Sequence, residues 1–233
     1  MKRFYKSVSV EQAEGGFGVR LDGRAVKTVG GRPQLVPSEA LAQAMAAEWA
    51  GQGEEIDTKV FLLRDMADYA LDVVSADPAE AMRALVPYAE TDTLCYRAEP
   101  DEAVWQRQQA VWEPILKDAE TRYGLRFERV SGIIARPQPA ETMARIEDLL
   151  AAKDAFALAA LRNLAGLAAS LVTGLLALEE EADLAALWDA AHLEEIWQAE
   201  LWGSDEEAEL RQKNRRAAFM AAAAFARLAR GKS

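Results

Sequence analysis

The chain has very little of the two residue types that build most metal and nucleophilic sites. Its 233 residues include one cysteine, Cys95, and one histidine, His192. A single cysteine excludes an internal disulfide and fits a reducing compartment. His192 has no Cys or His at ligand spacing, although Glu195 follows three residues later, so we interpret it as a surface imidazole. We therefore expect no metal and no cofactor.

The chain also lacks a surplus of positive charge and a long apolar run. Its 27 Lys and Arg residues face 38 Asp and Glu residues, a net charge of −11, and phosphate binding needs clustered cations. The longest uncharged run, residues 164–178, is shorter than the roughly 20 residues of a membrane helix. Residues 1–12 have no apolar run typical of a secretory signal. We expect a soluble, acidic protein with no nucleic-acid partner and no membrane insertion.

Motifs for phosphate binding and for acid–base catalysis are weak. The glycine-rich residues 15–18 lack the Lys-Ser/Thr ending of a phosphate loop and lead into a hairpin pattern. Acidic runs at residues 179–181 and 206–207 consist of adjacent residues, which point to different sides of a helix. The simplest interpretation of these acids is a solvated helix surface, and the residues alone favour a non-enzyme.

The N-terminal third has the alternation of a small antiparallel sheet. Residues 4–10, 16–21 and 24–29 alternate, and Asp22-Gly23 is a strong turn signal between the last two. Phe17, Val19 and Leu21 would share one face of the sheet, and residues 35–36 would form a further short strand.

Helical patterns dominate the rest of the chain. Ser38 is a good N-cap for a helix that carries Leu41, Met45 and Trp49 on one face and ends at Gly51. Pro114 should kink or split a long helix over residues 101–123, and residues 125–134 have a strand pattern. A helix is also predicted over residues 61–74, with Leu62, Met66, Tyr69 and Val73 on one stripe, and a short one begins at Asp77-Pro78. The remaining predicted helices cover residues 141–151, 154–178, 182–202 and 205–230.

We therefore predict an α+β fold, with a small antiparallel β-containing N-terminal domain followed by a mainly α-helical C-terminal domain. The predicted division is residues 1–37 for the β unit, 38–136 for a mixed helix and strand region that links the two parts, and 137–233 for the helical domain.

Two stretches stand out, and the residues alone leave their roles open. The first is residues 88–98, which include Asp92, Cys95, Tyr96 and Arg97; the second is the acidic and aromatic segment 192–207. Cys95 with His192, or the acidic cluster, could serve a small-molecule enzyme, although a free cysteine is usually buried and inert. Exposed tryptophans beside acids are equally typical of a protein-interaction module of unknown partner.

The order of the motifs provides a resemblance. The run Thr91-Asp92-Thr93-Leu94-Cys95-Tyr96-Arg97, together with Glu195 followed by Trp202-Gly203, resembles the assembly chaperones of the F-type ATP synthase, specifically the family that binds the α subunit. The likeness covers nearly the whole chain. Other landmarks occur in order, and they are residues 2–6, 21–24, 36–38, 48–49, 70–72, 112–114 and 123–124.

The resemblance implies a chaperone that covers the β-facing surface of the unassembled α subunit until the β subunit displaces it. It implies no nucleotide hydrolysis, a bacterial cytoplasmic or mitochondrial matrix location, and, as we favour it, a monomer. Trp49, Asp92, Cys95, Tyr96 and Arg97 match family positions that we interpret as structural. Leu62 and Arg64 replace a Pro and a Thr of the family. The client-binding candidates are Glu195, Gln198, Trp202, Asp205, Glu206 and Glu207, and the family's sensitive acid matches either Glu206 or Glu207.

Overall fold

The computed structural model describes residues 1–132 and 136–231 and divides them into two compact units. A small antiparallel sheet lies near the N-terminus and the rest is mostly helical, so the predicted α+β class is confirmed. The predicted segments 1–37, 38–136 and 137–233 follow the order of the chain and stay a prediction. Within the described chain, unit 1 comprises residues 1–81, 154–160 and 221 onward, and unit 2 comprises residues from 82 to 153 and 161–220.

The sheet of unit 1 is built around its second strand. Its strands are β1 Val8–Ala13, β2 Gly16–Leu21, β3 Arg24–Ala25 and β4 Leu35–Val36. β1 pairs with the full length of β2, and β3 and β4 pair with opposite ends of the other edge of β2, all antiparallel. Val19 and Leu21 are buried and Phe17 is half-buried, which fits the predicted inward face.

The predicted Asp22-Gly23 turn is confirmed, because both residues have positive φ, 49° and 79°. The predicted strand over residues 4–10 is only partly correct, since β1 begins at Val8. The Asp22 carboxylate accepts hydrogen bonds from the amides of Lys6 (3.0 Å) and Ser7 (2.8 Å), so these amides do not join the ladder.

The first helix, α1 Glu39–Ala50, has the predicted ends and the predicted buried face. Ser38 Oγ accepts a hydrogen bond from the Leu41 amide at 3.1 Å, and Leu41, Met45 and Trp49 are buried. This capping bond satisfies one of the amides that a helix start leaves without a partner.

The predicted helix over residues 61–74 consists of α2 Leu62–Tyr69 followed by a π-helical turn over Ala70–Val74. Its predicted buried stripe is wrong at the C-terminal end, because Val73 is 49% exposed while Val74 is fully buried. A π turn contains an extra residue and therefore rotates the side chains that follow it. The short helix predicted next is α3 Pro78–Arg83.

In unit 2, a short helix, α4 Pro87–Glu90, precedes the long helix α5 Ala103–Tyr123. Pro114 does not split α5, which corrects that part of the prediction. Pro114 is exposed, so water can reach the carbonyl that its missing N–H leaves without a donor. On the opposite side Trp112 is fully buried, and its Nε1 donates to the Ala190 carbonyl at 2.7 Å.

Two of the predicted C-terminal helices are each divided in two. The first break falls at Ala169, whose φ is +47°, and at Ser170, whose Oγ accepts a hydrogen bond from the Thr173 amide at 2.9 Å. The second falls at His192, which separates consecutive helices. The helices are α6 Ala140–Ala151, α7 Ala155–Ala168, α8 Leu171–Ala177, α9 Leu184–Ala191, α10 Leu193–Trp202 and α11 Glu206–Arg230.

Unit 2 also contains a small parallel strand pair, β5 Tyr96–Arg97 with β6 Val130–Ser131. The strand predicted over residues 125–134 is thus limited to Val130–Ser131 in the described chain, and Ile133 and Ile134 lie outside the described residues. Among the described residues, no helix combines the length and apolar character needed to cross a bilayer.

Candidate functional site

The six client-binding candidates lie on two consecutive helices and the turn that joins them. We call this region the α10–α11 surface, and its residues are Glu195, Gln198, Trp202, Asp205, Glu206 and Glu207; all six are exposed. Gly203 forms the turn with a φ of +81°, a conformation that favours glycine. Its amide donates to the Ala199 carbonyl at 2.8 Å, which closes the end of α10.

Three large apolar side chains are exposed at this junction. Trp202 is 77% exposed, Leu201 is 55% exposed and Leu210 is 57% exposed. A cluster of exposed apolar groups bordered by charges is a common feature of protein-binding surfaces. Leu201 and Leu210 were not among the residues predicted from sequence, because nothing in their helical spacing separates them from leucines of a core.

A groove of about 440 Å³ lies between the two helices. Ile196, Ala199 and Ala208 give it an apolar lining. Its acidic lining residues are Glu195, Glu200 and Glu209. Glu200 pairs with Arg107 and Glu195 lies near Arg215, so Glu209 is the lining acid without an ion pair in the described chain. The groove thus offers a mainly apolar floor with one unbalanced carboxylate.

The acids of this surface differ in the hydrogen bonds and ion pairs that they form within the chain. Asp205 Oδ1 accepts a hydrogen bond from the Ala208 amide at 2.7 Å and so begins α11. Glu207 pairs with Arg211 at 2.6 Å, and Glu195 lies 3.5 Å from Arg215. Glu206 has no hydrogen bond or ion pair within the described chain. Glu207 also stays largely exposed, with its side chain 82% accessible, so the identity of the sensitive acid stays a prediction.

Of the six candidates, only Glu195 lines this groove, and Gln198 lies on another part of the surface. It lines a separate recess of about 660 Å³, together with Thr91, Tyr96, Arg97 and Trp197. The structure thus brings Gln198 close to the Thr91–Arg97 motif, and Glu195 to the α10–α11 groove.

Asp92, in the Thr91–Arg97 motif, is buried and connects two distant chain segments by hydrogen bonds. Its side chain is fully buried, and its carboxylate accepts hydrogen bonds from the Leu94 amide (3.1 Å) and the Val172 amide (2.9 Å). Burial raises the pKa of Asp92 to about 6, and the hydrogen bonds from backbone amides and from Ser170 oppose this shift.

Arg97 is also buried, at 4% exposure, and belongs to an ionic network. Its Nη2 donates to Glu113 at 2.7 Å and its Nη1 donates to Gln109 at 2.6 Å. Arg129 pairs with the same Glu113 at 3.0 Å. These contacts support the structural interpretation of Asp92 and Arg97, which stays a prediction.

The environments of Cys95 and His192 do not favour catalysis. Cys95 is fully buried, and burial raises the pKa of its thiol well above its usual range. His192 is 3% exposed, so its interpretation as a surface imidazole is wrong. Its ring stacks on Trp188 with centroids 3.7 Å apart, its Nδ1 lies 2.9 Å from the Trp188 carbonyl, and burial lowers its pKa. The sequence around His192 contains no signal that predicts its burial.

Trp49 lies in the core of unit 1. It is 7% exposed, and its ring contacts Tyr5 and Phe61 at centroid distances of 5.6 and 4.4 Å. The Tyr5 hydroxyl donates to the Trp49 carbonyl at 2.6 Å.

Within the described chain, no group of three or more His, Cys, Asp or Glu side chains is arranged to hold a metal ion.

Comparison with known proteins identifies the class to which this fold and surface belong, which is that of chaperones. The sequence profile of a family described as ATP12 chaperone protein matches residues 2–120. Protein atp12, mitochondrial, from Schizosaccharomyces pombe is 24% identical over 219 residues, which cover 89% of this chain and 75% of that protein. The chain belongs to the ATP12 chaperone family.

Solved structures agree. The crystal structure of Atp12 from Paracoccus denitrificans is 34% identical, with a TM-score of 0.90 and coverage of 98% of both chains. A mutant of P. denitrificans Atp12p, in which an aspartate is replaced by lysine, gives the same identity and TM-score over 98% of this chain and 97% of that one. Membership of this family supports a role in ATP synthase assembly.

Proposed function

We propose that this protein binds the unassembled α subunit of the F-type ATP synthase at its β-facing surface and prevents aggregation until the β subunit displaces it. The observation that carries the proposal is the exposure of three large apolar side chains, Leu201, Trp202 and Leu210, near the acids of the α10–α11 surface. An unassembled subunit exposes the apolar surface that later meets its neighbour, and such patches aggregate.

These exposed apolar side chains would supply most of the binding free energy. Trp202 has 77% of its surface free, and a tryptophan offers roughly 200 Å². Covering that fraction removes roughly 150 Å² from water, or about 4 kcal/mol at about 25 cal/mol per Å². This is an upper bound, because ordering the side chain opposes it.

The acids would contribute selectivity and association rate more than affinity. Glu206 and Glu207 are exposed, and Glu206 makes no ion pair within the described chain. A cationic patch that borders the apolar surface of the client would be steered to this junction.

Release must follow binding, so we expect an affinity in the micromolar range, about −8 kcal/mol. Exchange against the β subunit then needs no nucleotide hydrolysis, and we propose that the protein is not an enzyme. A bacterial cytoplasmic or mitochondrial matrix location is part of the same proposal.

The test is co-purification of the cognate α and β subunits with the wild-type protein and with Glu206→Lys/Glu207→Lys. We expect capture of α but not β, and a clear loss of α capture in this variant. The matched control is Glu180→Lys/Glu181→Lys, which reverses two adjacent exposed glutamates elsewhere in unit 2 and should retain capture. A Trp202→Ala variant should lose between about tenfold and a thousandfold in affinity, equivalent to about 1.4–4 kcal/mol.

The outcomes separate the function from the site. Failure of the wild-type protein to capture the α subunit would refute the client assignment. Equal loss of capture in both charge-reversal variants would show a general effect of charge and would remove the α10–α11 surface from the proposal. Melting curves of all variants establish that each is folded.

A further inference from the structure

Unit 1 carries a recess of about 530 Å³ beside strand β3. Its apolar lining includes Phe4, Leu21, Val26 and Trp49. Phe4 is 63% exposed, and its ring contacts Tyr5 edge-on at a centroid distance of 5.3 Å. The Phe4 ring is therefore mostly accessible to a ligand at the recess.

The polar lining of the recess is positively charged, although the whole chain is acidic. Arg24 and Lys27 line it, both are exposed, and neither has a carboxylate partner among the described residues. Asp22 also lines it and stays ionised, because hydrogen bonds from the amides of Ser7 and Lys6 lower its pKa, but the two cations outnumber it. With a net charge of −11, a pair of unpaired cations beside an apolar recess is complementary to an acidic ligand.

The backbone of β3 leaves an unpaired donor and acceptor at the same place. The Val26 amide donates to the Val19 carbonyl at 2.9 Å, so these two residues form a hydrogen-bonded pair of the ladder. Bonded and non-bonded pairs alternate in an antiparallel ladder, and Arg20 with Ala25 is the next pair. The amide and carbonyl of Ala25 therefore point away from β2, and neither has a partner within the described chain.

Two buried nitrogen donors in the lining also have no partner. They are Trp49 Nε1 and Arg64 Nε. The Arg64 guanidinium lies 5.9 Å from the Trp49 ring centroid, and its two ends lie 3.4 Å from Asp65 and 3.6 Å from Asp68. Buried donors without acceptors are uncommon. Both nitrogens lie below the surface, so the accessible polar groups of the recess are the charged side chains and the backbone of β3.

We propose that this recess binds an extended, acidic segment of a partner protein. The backbone of the segment pairs with Ala25, a carboxylate lies between Arg24 and Lys27, and an apolar side chain packs against Phe4. Addition of a strand to a free sheet edge gives affinity through the backbone and selectivity through the side chains. The contact is separate from the α10–α11 surface, and it does not depend on which subunit that surface binds.

The probe is a fluorescein-labelled peptide that alternates Asp or Glu with Phe or Val. A peptide of the same pattern with Lys in place of the acids, and succinate as a short dicarboxylate, are the comparison ligands. Fluorescence anisotropy measures affinity, and ¹⁵N–¹H spectra report the Ala25 amide and the Trp49 indole. We expect the acidic peptide alone to bind, more weakly as salt is raised, and both resonances to shift.

Three variants address the three contacts. Arg24→Glu/Lys27→Glu should weaken peptide binding at least tenfold, and Phe4→Ser should weaken it severalfold. Ala25→Pro removes only an outward amide, which an edge strand tolerates, and should also weaken binding. The matched control is Lys59→Glu/Arg227→Glu, an equal charge change at exposed sites elsewhere in unit 1, which should bind as the wild type does.

Equal binding by the control and by Arg24→Glu/Lys27→Glu would overturn the assignment to this recess. Competition by succinate as effective as that of the peptide would overturn the extended segment as ligand. Absence of binding by the acidic peptide would overturn the proposal as a whole. None of these results bears on capture of the α subunit through unit 2, which is measured separately.

Discussion

Asp92 connects the strongest motif of the sequence to a break between helices, and its charge state should set part of the pH dependence of stability. The carboxylate is fully buried and accepts hydrogen bonds from the amides of Leu94 and Val172. Burial raises the pKa of Asp92 from 3.8 to about 6. The folded protein therefore holds this proton over a pH range in which the unfolded chain has released it.

The sign and size of the effect follow from linkage between protonation and folding. Between pH 3.8 and about pH 6 the folded state binds the additional proton, so the free energy of unfolding falls as pH rises. The contribution of Asp92 is fully present below pH 3.8 and is lost above about pH 6. A shift of about two pKa units corresponds to about 3 kcal/mol of unfolding free energy.

The perturbation is Asp92→Asn, which removes the titration but nearly keeps the shape. One of the two acceptor oxygens becomes a donor, so one buried amide loses its partner at a cost of about 1–3 kcal/mol. At neutral pH this cost is opposed by removal of the buried charge, about 3 kcal/mol, so we expect little net change there. At acidic pH the protonated wild type has no such charge, so the variant should be the less stable protein.

The assay is urea unfolding of both proteins across the pH range from 4 to 7. The unfolding free energy of the wild type minus that of Asp92→Asn should fall by about 3 kcal/mol as pH rises from 3.8 to about 6. Other acids titrate in both proteins, so their effects cancel in the difference. Asp148→Asn, at an exposed position of α6, is the control for loss of one carboxylate. Parallel pH profiles for wild type and Asp92→Asn would refute the reasoning.

Two further predictions concern single side chains. Ser38→Ala removes the cap of α1 and the hydrogen bond that Ser38 Oγ donates to the Leu228 carbonyl at 2.5 Å. It should therefore lower the unfolding free energy by about 1–2 kcal/mol and the melting temperature by several degrees. An unchanged melting temperature would contradict this. Cys95 should resist alkylation by iodoacetamide in the folded protein and react after unfolding in urea, because its thiol is buried and its pKa is raised; stoichiometric labelling of the folded chain would contradict this.

The features predicted correctly from sequence are those determined by neighbouring residues. Asp22-Gly23 specifies a tight turn because Gly, and to a lesser extent Asp, tolerates positive φ. Ser38 specifies the start of α1 because its acceptor lies three residues from the amide that it caps. Both signals are local, so a sequence pattern contains them completely.

The features that were missed depend on residues distant in the sequence. The predicted helix over residues 154–178 is interrupted where Asp92 accepts the hydrogen bond of the Val172 amide, 80 residues away. His192 looks like a surface residue in sequence, and only the packing of its ring on Trp188 shows that it belongs to the core. No window of neighbouring residues contains these partners.

In this protein the most recognisable sequence motif is buried, whereas the candidate binding residues are exposed. Asp92, Cys95 and Arg97 are each 4% exposed or less, and they occur in the motif that makes the chain resemble its family. Their surroundings tolerate few alternatives, because buried polar groups need specific partners. Trp202 and Glu206 are exposed and face few such demands from the fold. Trp202 still carries part of the resemblance together with Gly203, whereas the acid that follows matches either Glu206 or Glu207. A search for the partner surface should therefore begin with exposed side chains that the fold does not require, at the α10–α11 surface and at the recess beside β3.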